Sequence, residues 1–231
     1  MIIAATSDIH APNYFHDFIQ ALDNLKIKPD IFLLAGDVIE RGEAHLFEQV
    51  REAISKKVKC PIIACFGNNE FIPDSRERIR NLSKNMKILD DDACMLEVGS
   101  DMVGIVGTIG SLDNPTRWQL QNIPTIRRIY EERIGIVEKF LNRMSANIKI
   151  VLMHYAPTYK TLVGELETAY GGLGSFKYEE VLKKKNPTVV IHGHSHKGTK
   201  FAMVDSVPVF NVAFPLNNEI VIIDTNDLRE M

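Results

Sequence analysis

The 231-residue chain predicts an α/β fold: an αββα sandwich of two packed, mixed β-sheets with helices on both outer faces, formed as one domain over residues 1–231. Three observations predict it. The front half alternates short apolar runs with amphipathic stretches, the pattern of parallel strands with helices packed outside. The middle and the tail read mainly as strands, which need a second sheet. No Pro/Gly/Ser linker, low-complexity tract or internal repeat interrupts the chain, and single cores extend to about 250 residues.

The first runs are IIAAT (2–6), DIFLLA (30–35) and PIIACF (61–66). Amphipathic helices are expected between them at about 14–26 and 43–57, where Val50 and Ile54 lie four apart and Arg51, Lys56 and Lys57 point elsewhere. A third helix is expected to start near Pro73-Asp74, with Pro early and Asp available as a cap. Residues 93–109 read as two strands, CMLEV and MVGIVGT, about Gly99-Ser100-Asp101. A loop at 111–124 containing Arg117 and Trp118 follows, then a helix at about 125–145 and the strand IKIVLM (148–153). A Gly-rich loop runs to about 175, and a helix closes at Lys183–Lys185, where cations suit the negative dipole end. The tail is TVVIH and then strands at 199–204, 207–212 and 219–224.

Composition narrows the function classes. Hydrophobic residues make up 45% and charged residues 25%, the balance of a soluble globular protein. Net charge is −3, so the chain lacks the basic footprint of a nucleic-acid binder and nucleic acid is not the expected partner. No run approaches the roughly 20 apolar residues that span a bilayer, so no membrane partner is expected. The opening MIIAATSDIHAP has no basic n-region and turns polar at Ser7, reading as a first strand rather than a signal peptide. Cys60, Cys65 and Cys94 form no CxxC pair and read as core thiols of a reducing compartment, which places the protein in the cytoplasm.

Five apolar runs end directly in a polar residue able to bind a metal: Asp8 and His10, Asp37, Asn68, His154, and His194 with His196. Ligands of open α/β sheets bind outside the carboxyl ends of strands. A bridging carboxylate, Asp37, beside four imidazoles suits Mn, Fe, Zn, Ni or Co better than Ca. Glycines before Asp37, Asn68 and His194 let the chain turn sharply off each strand. Two metals roughly 3.5–4 Å apart can hold a hydroxide between them and clamp both oxygens of an in-line displacement.

The series DIH, GDVIER, GNNE, a lone His after a strand and GHSH resembles the calcineurin-like metallophosphoesterases, over residues 3 to about 198. With HYAP, TYKTLVGE and HGHSHKG it looks most similar to their small prokaryotic members. The resemblance implies a four-layer fold and two divalent ions, Mn first, with Fe, Zn, Ni, Co or Mg as alternatives. It implies Asp8, His10 and His196 on one ion, Asn68, His154 and His194 on the other, and Asp37 shared. The implied activity is hydrolysis of a small phosphoester, a diester ahead of a monoester, by a hydroxide bridging the ions. The alternative is a metal-binding scaffold or nucleotide-binding protein with little turnover.

The chain departs from the family at one place. Most hydrolytic relatives have His after the third-motif Asn, as general acid, whereas this chain has Asn69, which delivers no proton at neutral pH. The acid that often steadies that His is Glu40 here rather than Asp. Either the leaving group needs little protonation, or His192, Tyr155 or metal-bound water supplies the proton. Arg41 is read either as a phosphate contact, which a bidentate guanidinium suits, or as an ion-pair partner of Glu40 or Glu43. His192, two before His194, reads as facing the site or supporting it, and His16 and His45 read as ordinary surface residues. Loops 111–124 and 157–175 are expected to set specificity, the second as a lid about Gly171-Gly172 and Gly174. The apolar stretch Val209–Pro215 either pairs across a homodimer or closes a sheet edge.

Overall fold

The structure is a computed structural model and describes residues 1–70, 73–83 and 85–229. The chain runs β1 (Ile2–Thr6), α1 (Phe15–Asp23), β2 (Ile31–Ala35), α2 (Ala44–Lys57), β3 (Ile62–Cys65), α3 (Pro73–Leu82) and β4 (Met86–Leu89). Next come β5 (Asp92–Val98), β6 (Asp101–Thr108), α4 (Arg117–Asn122), α5 (Ile126–Arg143), β7 (Ile148–Met153), α6 (Tyr170–Leu173) and α7 (Tyr178–Lys185). The last elements are β8 (Val189–His192), β9 (Phe201–Val204), β10 (Val207–Asn211), α8 (Phe214–Asn217) and β11 (Val221–Asp224).

Two mixed sheets result, in the orders β11-β1-β2-β3-β4 and β5-β6-β7-β8-β10-β9. In the first, β1 to β4 are parallel and β11 returns antiparallel beside β1. In the second, β6, β7, β8 and β10 are parallel and the flanking β5 and β9 are antiparallel. Strands buried on both faces have to be apolar at every position, which is why these runs carry no polar alternation. Ile31, Leu33 and Ala35 of β2 face Ile148, Ile150 and Leu152 of β7 across the inter-sheet core. The alternate residues Phe32 and Leu34 pack under Phe18, Leu22, Phe47, Val50 and Ile54 of α1 and α2. On the other outer face Val151 and Met153 meet Val137 and Leu141 of α5 and Val181 and Leu182 of α7. The expected αββα layering is what the chain adopts.

Four features differ from the sequence reading. Strand β4 was not expected; it is four residues long, at the sheet edge, and mostly only half-covered, so it leaves little apolar signal. The loop at 111–124 contains α4, started by a reciprocal cap in which Gln119 N donates to Thr116 Oγ1 (3.2 Å) and Thr116 N to Gln119 Oε1 (2.9 Å). Strand β10 lies inside its sheet, between β8 and β9, so Val209 offers no free ladder to a second copy and closes no edge. The 157–175 loop is not a bare Gly-hinged lid. It winds through short turns at Tyr159–Leu162 and Glu167–Ala169 and is strapped down by Asp113, which accepts from Tyr159 Oη (2.8 Å), Ser175 Oγ (2.7 Å) and Phe176 N (3.1 Å).

Helix α7 ends as its lysines suggest. Asn186 takes a left-handed cap conformation, Lys183 pairs with Glu179, and Lys184 and Lys185 pair with Glu138.

Candidate metal centre

Every expected ligand lies at or just beyond the carboxyl end of a parallel strand, and the ends are stitched to one another through the backbone. Asp8 N donates to Gly36 O (3.0 Å), His10 N to Asp37 O (3.0 Å) and Gly193 N to His154 O (3.1 Å). Asp8, His10, Asp37 and His194 all have left-handed backbone, with φ of 55°, 43°, 48° and 69°. Such a conformation costs a non-glycine residue about 1–3 kcal/mol. Four of them around one cleft mark a place where the scaffold holds side chains in directions relaxed turns would not give.

Two glycines make the crowding possible. A Cβ at Gly67 would collide with the carboxylate and backbone N of Asp37, and one at Gly193 with Ser7 Oγ and Asp8 Oδ2. At both positions it is lack of volume, rather than free dihedrals, that is needed.

Among the described residues, two sets of Asp and His side chains converge closely enough to hold a metal ion: Asp8, Asp37, His154 and His194, and Asp8, His10 and His196. Asp8 belongs to both. Asp37 Oδ2 lies between them, 3.8 Å from His10 Nε2 and 3.5 Å from His154 Nε2. Asp8 Oδ1 is 3.7 Å from His10 Nε2 and 3.1 Å from His196 Nε2, while Oδ2 accepts from Ser7 Oγ (2.5 Å) and His194 N (2.9 Å). Both carboxylates are buried. Asn68 joins the first set, its Oδ1 3.0 Å from His154 Nε2.

The hydrogen positions follow from chemistry. The Ala35 carbonyl, 2.9 Å from His154 Nδ1, can only accept, so Nδ1 carries the hydrogen and Nε2 is directed at Asn68 and Asp37. His10 Nδ1 likewise donates to Glu40 Oε2 (2.9 Å), and its buried Nε2 has no hydrogen-bond partner among the described residues. An unpartnered buried nitrogen is costly. Here it faces two buried carboxylates across a gap too long for hydrogen bonds. Such a convergence of donor atoms fits a cation, and the oxygen and imidazole donors suit a first-row divalent ion.

The electrostatics agree. Burial alone would lower the pKa of His10 and His154, but Asp8 and Asp37 outweigh it and raise both to about 9. Burial would raise Asp8 and Asp37, yet both lie below the ordinary carboxylate value, chiefly through His10 and His196 for Asp8 and His154 for Asp37. The buried carboxylates and these imidazoles thus stabilise one another's charged forms. Burial, aided by His154, pushes His194 down to about 4, so its imidazole is neutral near pH 7.

The remaining expected residues fall elsewhere. Asn69 donates from its backbone N to Asp37 Oδ1 (2.7 Å) and from Nδ2 to Asp37 Oδ2 (2.6 Å). Arg41 joins neither set; its side chain is 85% exposed, with Nε 3.8 Å from Glu40 Oε1. His192 is buried, donates from Nδ1 to Gly193 O (2.8 Å) and is pushed by burial to about 4, so it has no proton to deliver near neutrality. Burial raises Tyr155 above the ordinary phenol value, and its ring packs 4.8 Å from that of His194, a poor match for a proton donor near pH 7. His16 and His45 lie away from the cleft, His16 bonded to Gln20 and His45 67% exposed. Arg117 and Trp118 start α4, and neither joins the two ligand sets.

Two acids escaped the sequence reading. Glu70 is wholly buried and accepts from the backbone N of Asp37 (3.1 Å), Ile39 (3.2 Å) and Gly67 (2.7 Å), fastening the second motif to the third. Burial raises its pKa to about 7, and Asp37 adds to the effect. Glu165 Oε1 accepts from Ser195 Oγ (3.1 Å) and Lys197 N (2.8 Å), tying the 157–175 loop to the segment that carries His194 and His196. The signal for Glu70 was its place in GNNE; nothing in sequence marked it as buried.

Residues 1–198 match the family model described as calcineurin-like phosphoesterase. No curated protein matches the chain. Among solved structures, the fold is similar to the phosphopantetheinyl hydrolase of Mycobacterium tuberculosis, at 14% identity and TM-score 0.71 over 95% of each chain. It is also similar to a protein of Thermus thermophilus, at 17% identity and TM-score 0.63, covering 98% of this chain and 95% of the other. At these identities the likeness is one of fold.

Proposed function

We propose that this chain, which belongs to the calcineurin-like phosphoesterase family, is a metal-dependent hydrolase of small phosphoesters that works with two divalent ions. The observation that carries the reading is the convergence of acceptor atoms at the strand ends, with His10 Nε2 buried and unpartnered opposite Asp8 and Asp37. Asp8, His10 and His196 would hold one ion, Asn68, His154 and His194 the other, and Asp37 the space between. Mn is the first choice, and Fe, Zn, Ni, Co and Mg are the alternatives. When bound, such ions supply Lewis-acid polarisation of the phosphoryl group and a nucleophile at neutral pH.

The chain's own residues do the rest. Asn69 and Glu70 fix the Asp37 carboxylate and the backbone under it, so its oxygens are oriented before any ligand arrives. Arg41, exposed at the end of the second motif, is free to swing onto phosphate oxygens as a bidentate donor. Asn69 has no acidic proton and its amide is committed to Asp37, so the position after Asn68 supplies no general acid. This favours esters with good leaving groups, aryl or nucleotide phosphodiesters ahead of alkyl monoesters.

The same commitment of Asn69 supports a second reading, a metal-binding scaffold or nucleotide-binding protein with little turnover. Elemental analysis combined with a Mn-supplemented panel of mono- and diesters separates the two. Hydrolysis is expected to require metal and to favour aryl diesters. Stoichiometric metal with nucleotide binding but no product would establish the second reading instead.

A further inference from the structure

Glu40 ends the second motif, and the resemblance associates an acid there with the residue at position 69. The structure shows a different partner. Glu40 N donates to Ala11 O (3.0 Å), and the bridge between Ala11 and Ile39 aligns the segment after β2 with the one after β1. That pairing sets Glu40 beside His10, with Oε2 2.9 Å from Nδ1. Asn69 Nδ2 also lies 3.5 Å from the same Nδ1, but both atoms are donors there, and the amide's true acceptor is Asp37 Oδ2 at 2.6 Å. Glu40 is therefore the acceptor for His10.

A carboxylate accepts, so it keeps the hydrogen on Nδ1 and the lone pair on Nε2, which is the atom facing Asp8 and Asp37. We propose that Glu40 is a positioning residue for His10, fixing the ring's tautomer and direction so that Nε2 is presented as a metal ligand. The inference rests on the metal-centre reading above. It assigns Glu40 to the Asp8–His10–His196 pocket and gives it no part in holding residue 69. It also accounts for the absence of an acid–imidazole pair at positions 40 and 69: with Asn69 turned to Asp37, the acid serves the neighbouring imidazole.

The test uses the full chain and its Glu40→Ala and Glu40→Gln variants, titrated with Mn by calorimetry and with Co by visible absorption. Wild type is expected to take up two ions. Loss of an outer hydrogen-bond partner typically weakens metal binding about 10–100-fold. Glu40→Ala should therefore weaken one ion by that factor, leave the other within about twofold, and change the Co spectrum. Glu40→Gln, which keeps an acceptor oxygen on the same arm, should recover most of the lost affinity. Wild-type affinity for both ions in Glu40→Ala, equal weakening of both, or a Gln variant no better than Ala would overturn the assignment. A wild-type chain that binds no metal would overturn the underlying reading as well, so the two failures are distinguishable.

Discussion

Asn69 grips both oxygens of the Asp37 carboxylate, through its backbone N at 2.7 Å to Oδ1 and its side-chain amide at 2.6 Å to Oδ2. Oδ2 is also the oxygen that lies between His10 and His154. The residue standing where the family's general acid is expected is thus part of the support of the central carboxylate.

The first prediction concerns leaving groups. Asn69→His introduces a group able to donate a proton at neutral pH, and general acids contribute about 10²–10⁴-fold where the leaving group needs one. Turnover should rise more for alkyl than for aryl esters, measured as kcat over a matched series. An equal effect on both, or none, would contradict the idea that position 69 limits the leaving group.

Gly193 supplies a steric prediction. A methyl there runs into Ser7 Oγ and Asp8 Oδ2, so the chain must shift around a buried carboxylate. Gly193→Ala should cost about 1–3 kcal/mol in urea denaturation, the usual range for overpacking. It should also reduce Mn uptake. Wild-type stability together with full metal content would show that the contact is slack.

Glu70 makes three hydrogen bonds to backbone N–H groups inside the protein. A buried donor left unsatisfied costs about 1–3 kcal/mol. Glu70→Ala should therefore lose at least about 3 kcal/mol and release the Gly36-Asp37 turn from Gly67, lowering metal affinity as well. Equilibrium unfolding that moves by less than about 1 kcal/mol would mean water replaces the carboxylate without loss.

The core and the 157–175 loop should respond differently to the same change. Leu33 is fully enclosed between the sheets, whereas Leu166 is 77% exposed on the 157–175 loop. Leu33→Ala should cost about 2–5 kcal/mol. Leu166→Ala should stay within about 0.5 kcal/mol. A large loss at Leu166 would mean that the loop carries more of the fold than its exposure suggests.

These predictions fall on residues of unequal visibility in the sequence. The layering was legible because strands covered on both faces must be apolar throughout, and because helices α2 and α5 repeat their buried residues at helical spacing. Asp8, Asp37, Asn68, His154 and His194 were legible as a group because each directly ends or follows such a run. The contacts that orient them were not. His10 meets Glu40, and Asp37 meets Asn69, only after β1, β2 and β3 align side by side, a long-range event with no local trace. Left-handed backbone at Asp8, His10 and His194 is likewise invisible, since these residues adopt it under tertiary constraint rather than by preference. Helix α4 differs in kind, because its Thr116–Gln119 capping pair is a local signal that the sequence itself carries.

The role of Asp37 in holding the metal centre together is tested by metal content and Mn-dependent phosphodiester hydrolysis of Asp37→Asn beside wild type. The variant is expected to fold but to lose at least one ion, with turnover down by two orders of magnitude or more, as when a principal transition-state stabiliser is removed (about 10²–10³-fold). Asp37→Asn that retains the wild-type metal content and turnover would contradict it.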